Sequence, residues 1–353
     1  MRILVIGGTR FIGPHVVMCL HHIGHQVTVL HRGQTEADLP PGVKHIHCPM
    51  LSFDDRRALA DLRDDLKQLA LDVVLDMIPT TEQTARAVMS VFRGIARRVI
   101  AISSQDVYRA YGKLMGIESG PEELLPLTED ASLRQRLYPY RGESPRDPAD
   151  PKRWLDDYDK ILVERVVLSD PDLPGTVLRL PMVYGPGDSQ HRLFEYLKRM
   201  DDNRPVIPLE EGWATWRWTR GYVENIAAAI TLVVMDERST GRTYNVGEND
   251  ALSMFEWVSQ IGQAAGWKGQ VIVVSKSFLP AHLSSNGDPG QHLVVDTTRI
   301  RNDLGYDETI SRDEALQRTV SWERMNPPKE IVPTMFDYAA EDAALAAWEQ
   351  HNR

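Results

Sequence analysis

A chain of 353 residues with 42% hydrophobic content buries a large core, and its length suits one large lobe with a second, smaller one. Its formal net charge of −10 excludes a general affinity for nucleic acid or anionic membranes, and its longest apolar stretch, Ile226 to Met235, is far below the ~20 residues of a membrane span. Two cysteines, Cys19 and Cys48, build no disulfide framework, so a reducing cytoplasm is the expected compartment. Glycines interrupt the apolar N-terminus, so no signal peptide is expected.

The chain starts MRILVIGGTRFIG, an aliphatic run from Ile3 to Ile6 that breaks into Gly7 and Gly8 and reaches Gly13 six residues after Gly7. An unbroken aliphatic run suits a buried parallel strand, and the glycines permit a tight turn whose amides face a phosphate. A helix over 12–22 and a strand over 26–30 follow, completing a unit of about 30 residues that binds a dinucleotide. Gly7, Gly8, Thr9, Arg10, Phe11, Ile12 and Gly13 are therefore candidate cofactor contacts. Arg10 stands where a third glycine is usual, and the second strand ends in His31-Arg32 with no acid. A carboxylate there accepts from a ribose hydroxyl, whereas a cation binds a 2′-phosphate, so Arg10 and Arg32 favour NADP(H), with NAD(H) as the alternative.

Strands are expected over 43–47, 72–77 and 99–102, with helices over 54–69 and 82–92. This βαβ repetition predicts a Rossmann-type, doubly wound parallel sheet with ligand sites at the strand ends, where Ile78, Ser103 and Ser104 fall. Residues 109–153 read as a long functional loop. A helix over 154–168 and a strand over 176–180 resume the order. Expected units are a nucleotide-binding domain over 1–183, a smaller C-terminal substrate-binding lobe over 184–330, and an appended helical tail over 331–353. Trp213, Trp216 and Trp218 surround Arg217, and the period-two pair Trp216 and Trp218 reads as one face of a strand. The histidines His21, His22, His25, His31, His45 and His47 lack tight ligand spacing along the chain, so no metal site is expected.

Several ordered motifs resemble the NAD(P)-dependent epimerase/dehydratase family of the extended, and here atypical, short-chain dehydrogenase/reductase superfamily. They are the GGTRFIG turn, Ser103-Ser104-Gln105-Asp106-Val107-Tyr108, the run from Arg179 to Gly187, Tyr244-Asn245-Val246-Gly247, and Asp296 to Arg299 with Leu304-Gly305-Tyr306. The resemblance implies that Ser104 holds the substrate oxygen and Lys160 holds the nicotinamide ribose, with Pro181 and Val183 beside the cofactor. It also implies a homodimer, a nucleotide-sugar-like small molecule as substrate, and phosphate-binding cations at Arg192 and Arg217, with Arg220 next. An acid that meets the adenine in the family is replaced by Pro49-Met50.

The family's tyrosine stands four residues before its lysine, one helical turn away. Here that position holds Asp156, and Tyr158 at a spacing of two would sit about 200° around a continuous helix. Three readings follow: Tyr158 acts from a distorted helix, with Asp156 a possible proton carrier; Tyr138 or Tyr140 in the loop supplies the phenol; or the protein binds cofactor without the usual hydride chemistry. The last reading includes a regulatory or RNA-associated role, which the acidic balance opposes.

Overall fold

The computed structural model describes residues 1–49, 51–52 and 55–352. Its strands are β1 (Arg2–Ile6), β2 (Gln26–His31), β3 (Lys44–His47), β4 (Val73–Asp76), β5 (Arg98–Ser104), β6 (Gly175–Leu180), β7 (Met182–Tyr184), β8 (Val206–Glu210), β9 (Arg220–Tyr222), β10 (Thr243–Asn245) and β11 (Gln270–Val274). Seven of them form a parallel sheet in the order β10-β6-β5-β4-β1-β2-β3. The order in which strands join the sheet reverses at β1, which pairs parallel with both β2 and β4 and so opens a crevice at its carboxyl end. The Rossmann-type α/β architecture expected from the sequence is therefore the one observed.

Helices α1 (Ile12–His22), α2 (Arg63–Gln68), α3 (Glu82–Phe92), α4 (Arg109–Leu114) and α5 (Lys160–Leu168) precede β6. The strand period of two explains how both faces are covered. Ile3 and Val5 pack with Val16, Val17 and Leu20 of α1, whereas Leu4 and Ile6 pack with Val88 and Phe92 of α3 and Val163 and Val167 of α5. Each of these side chains is fully or almost fully buried, a contribution of about 1.5–3 kcal/mol apiece. Leu4→Ala alone would cost about 2–5 kcal/mol.

After β6 the chain carries α6 (Phe194–Asp201), α7 (Glu211–Thr215), α8 (Val223–Met235), α9 (Met254–Ala265), α10 (Thr298–Leu304) and α11 (Arg312–Met325), with the two small parallel pairs β7/β9 and β8/β11. Helix α8 is interleaved with the first lobe, because it packs directly on α1. The C-terminal helix α12 (Tyr338–His351) is not an appendage. Its Glu341 is fully buried and takes three hydrogen bonds from Arg199 of α6, the shortest 2.7 Å.

Other expectations change in detail. The helix expected over 54–69 begins at a residue outside the described set and is otherwise a 3-10 turn (Arg57–Leu59) followed by α2. The loop expected from Arg109 starts with α4, and no strand carries Trp216 and Trp218: Trp213 lies in α7, and Trp216 is buried against Val107 and Leu293. The helix expected over 154–168 is broken. Arg153–Asp156 is a 3-10 turn, and α5 starts only at Lys160 because the Asp159 carboxylate caps it, accepting from the Ile161 amide at 2.9 Å.

Candidate functional site

The Gly7–Gly13 loop and the ends of β2 and β4 enclose a cleft of about 230 Å3, lined among others by Thr9, Arg10, Phe11, Ile12, Arg32, Thr35 and Ile78. Two features of the loop match the requirements of a phosphate turn. Gly7 and Gly8 have φ of +92° and +88°, values that disfavour side chains. A Cβ on Gly13 would lie 2.4 Å from Gly8 Cα, so only glycine lets α1 approach the turn. Phe11 also holds a positive φ, 47°, immediately before α1, an uncommon state for a bulky residue and one found at ligand-binding loops. Arg10 is exposed at the rim.

At the end of β5 the broken helix brings four groups together. Tyr158, immediately before the Asp159 cap, donates a 2.9 Å hydrogen bond to Asp106 Oδ2, and the Ser104 hydroxyl is near enough to influence its phenol. The Lys160 ammonium lies 5.8 Å from the Tyr158 ring centroid. The objection that Tyr158 faces away from Lys160 on a continuous helix therefore falls, since Tyr158 is not helical. Tyr140 donates to the same Asp106 oxygen at 3.0 Å and meets Tyr111 at 3.1 Å between hydroxyls. Two of the tyrosines considered from sequence thus converge on one carboxylate.

Asp106 is the site residue that the sequence reading overlooked. It sits in the 3-10 turn after β5, where the Ser104 hydroxyl accepts from its amide at 3.2 Å. Its place directly after Ser104-Gln105 was the available signal. Burial is the main influence on its carboxyl and raises its pKa, against the lowering effects of Arg134, Tyr158, Lys160 and Tyr140. Its Oδ1 is buried and has no hydrogen-bond partner among the described residues. Burial likewise pushes the Tyr158 phenol well above its ordinary pKa, so it stays protonated. Lys160 is 7% exposed and donates to the Pro79 carbonyl at 2.6 Å and the Ile102 carbonyl at 2.9 Å. Burial lowers its pKa to about 8, with Asp106 and Asp76 acting in the opposite direction.

The remaining candidates are dispersed. Asp156 bonds Arg146 and Arg153 on the far side of the break, and the Arg146 amide leads the contacts that hold its carboxyl below the usual range. The Ser103 hydroxyl donates to Glu164, which also binds Arg179, so neither Glu164 nor Asp156 is the ion-pair partner of Lys160. Tyr138 is a loop anchor: its amide donates to Asp159 at 2.6 Å, and Arg141 stacks 3.9 Å from its ring centroid. Buried Arg56, also missed, pairs with Asp76 and donates to the Ile78 carbonyl at 2.6 Å, bracing the end of β4.

A second cleft of about 580 Å3 lies in the C-terminal lobe, lined by Met182, Arg192, Trp218, Arg220, Trp257 and residues of the tail such as Phe336. Arg192 pairs with Asp188 at 2.6 Å and donates to the Val183 carbonyl at 3.0 Å. Val183 itself is buried and Pro181 half-buried. Arg217 is exposed and paired with Glu256 at 3.2 Å, outside this cleft. Arg220 takes its place: it is 2% exposed, 4.4 Å from the Trp257 ring centroid, and burial lowers its pKa to about 10.

The histidines behave differently from expectation. His31, His45 and His47 converge with Glu36, their ligand-type atoms all within 4.8 Å of one another, because β2 and β3 pair in register. Met50, part of the altered adenine-side segment, lies outside the described residues. Among the described residues no helix is long and apolar enough to cross a membrane.

A parallel sheet with a glycine turn at its switch point is a Rossmann-type fold. Residues 136–247 match the NAD dependent epimerase/dehydratase family model. The chain is similar to the UDP-N-acetyl-alpha-D-glucosaminuronate decarboxylase of Bacillus cytotoxicus, 23% identical over 342 residues, which covers 92% of this chain and 98% of the relative. MoeE5, solved with UDP-glucuronic acid and NAD, superposes with a TM-score of 0.63 at 19% identity over 92% of this chain and 99% of that one. WbmG of Bordetella bronchiseptica, solved with NAD and UDP, gives 0.65 at 16% identity over 92% and 94%.

Proposed function

We propose that the protein is an NAD(P)-dependent enzyme that oxidises or reduces a hydroxyl or carbonyl carbon of a nucleotide sugar or a related small molecule. The observation that carries this reading is the hydrogen bond of the Tyr158 phenol to Asp106 at the end of β5, with Ser104 and Lys160 beside it. A bound nicotinamide supplies the hydride acceptor or donor. Ser104 holds the reacting oxygen. As a substrate hydroxyl is oxidised, its proton passes to the Tyr158 oxygen while the phenol proton moves to Asp106; reduction runs the same path backwards. A buried carboxylate with a raised pKa is suited to accept that proton. Lys160 exchanges its carbonyl partners for the ribose hydroxyls.

Arg10 and Arg32 at the cleft support NADP(H) over NAD(H), and Arg192 with Arg220 supports an anionic group on the substrate. The nucleotide sugars bound by MoeE5 make this class the first to test. A homodimer in the cytoplasm completes the reading, checked by sedimentation. A purely regulatory role is disfavoured by the assembled hydroxyl, phenol, carboxylate and ammonium groups.

The test is turnover of a nucleotide-sugar panel with NADP+ and NAD+, product detected by mass spectrometry, for the wild type and Tyr158→Phe. The expected result is conversion by the wild type and a loss of at least ~100-fold in the variant with dinucleotide affinity retained. Full activity in the variant would overturn the assignment, and absence of dinucleotide binding by the wild type would overturn the whole reading.

A further inference from the structure

We propose that His31, His45, His47 and Glu36 form a binding site for a tetrahedral transition-metal ion, zinc by its donor set, at the edge of the sheet beside the dinucleotide cleft. The strand geometry explains the convergence. His45 and His47 are two residues apart on β3 and share a face, and the parallel register sets His47 beside His31 at the end of β2. Glu36 comes from the loop joining the two strands.

The distances fit one ion. His31 Nε2 and His45 Nδ1 are 3.0 Å apart, and Glu36 carboxylate oxygens lie 3.9 Å from His31 Nε2, 3.5 Å from His45 Nδ1 and 3.1 Å from His47 Nε2. Tetrahedral zinc with nitrogen and oxygen ligands near 2.0–2.1 Å separates its donors by about 3.3 Å. Three imidazoles and one carboxylate make a borderline-soft set that suits zinc rather than magnesium or calcium. The imidazole planes are steeply inclined, with angles of 75° and 87° between His31 and its two neighbours, so the nitrogens point inward without ring stacking.

One contact changes on loading. The Gly33 amide faces His31 Nδ1 at 3.3 Å, and a metal on Nε2 places the His31 proton on Nδ1, so this long bond opens. Gly33 has a φ of +76° and no side chain, which lets the loop adjust. Bound there, the ion ties the loop after β2 to the sheet. That loop carries Gln34 and Thr35 into the dinucleotide cleft, and Thr35 Oγ1 already meets Thr9 Oγ1 of the glycine turn at 3.0 Å.

The test uses the full chain without an affinity tag, stripped with a chelator, then titrated with ZnCl2 by calorimetry and with CoCl2 by visible absorption. The expected result is one ion per chain and the intense bands of four-coordinate Co2+. His45→Asn with His47→Asn should weaken zinc binding at least ~100-fold, and Glu36→Gln about 10-fold. Both histidines are solvent-exposed on the edge strand, and Glu36→Gln leaves the strands untouched, so circular dichroism and thermal melting should match the wild type. Weak six-coordinate Co2+ spectra, or zinc affinity unchanged in the double variant, would show a surface histidine cluster paired with Glu36 and overturn the proposal.

Discussion

Tyr158 and Asp106, 52 residues apart in the chain, are joined by a 2.9 Å hydrogen bond in the interior of the first lobe. The bond exists because Asp159 starts α5 one residue later, releasing Tyr158 from the helix to face the end of β5. In the proposed relay Asp106→Asn keeps the shape and removes the proton acceptor. We expect kcat to fall at least ~100-fold with dinucleotide affinity within about 3-fold of wild type, measured by steady-state kinetics and calorimetry. Tyr140→Phe, which removes one bond to the same oxygen, should cost less.

Lys160 carries a pH signature. Its folded pKa of about 8 lies below its ordinary 10.5, so between these values the unfolded chain binds more protons. The resulting stability is present in full above about 10.5 and is lost as pH falls through about 8. Denaturant unfolding of the wild type across this window should therefore show a positive slope in excess of that of Lys160→Met, up to about 1.4 kcal/mol per pH unit. Equal slopes would mean that Lys160 is not buried as described.

Gly13→Ala places a Cβ against the Gly8 backbone. Overpacking of this kind costs about 1–3 kcal/mol and distorts the turn whose amides face the phosphate. A lower melting temperature and at least ~10-fold weaker dinucleotide binding are expected, read by calorimetry.

The tail helix can be tested by its ion pair. Glu341→Ala leaves Arg199 buried without its carboxylate, at a cost of about 3–5 kcal/mol by urea unfolding. The double variant Arg199→Met, Glu341→Met should be distinctly more stable than Glu341→Ala, since it buries no lone charge.

The alternating sheet was legible in the sequence because fully buried parallel strands read as plain aliphatic runs: β1, β2 and α1 lie where those runs and the glycine turn put them. The break before α5 was not. Asp156 and Asp159 are both acids in a helical pattern, and only tertiary partners decide which one caps: Asp159 takes the Tyr138 amide, while Asp156 is held by Arg146. Arg217 and Arg220 are likewise indistinguishable by type, and burial against Trp257 separates them. The histidine convergence depends on β3 lying beside β2, a pairing that spacing along the chain does not reveal.

The most direct test of the central claim is a crystal structure of the protein with NADP+ bound. The account predicts the pyrophosphate on the Gly7–Gly13 turn, Lys160 Nζ on the nicotinamide ribose, and the nicotinamide ring beside the Ser104 and Tyr158 hydroxyls with room for one substrate oxygen about 3 Å from each. A nicotinamide directed away from Tyr158, with Lys160 still on the Pro79 and Ile102 carbonyls, would contradict it.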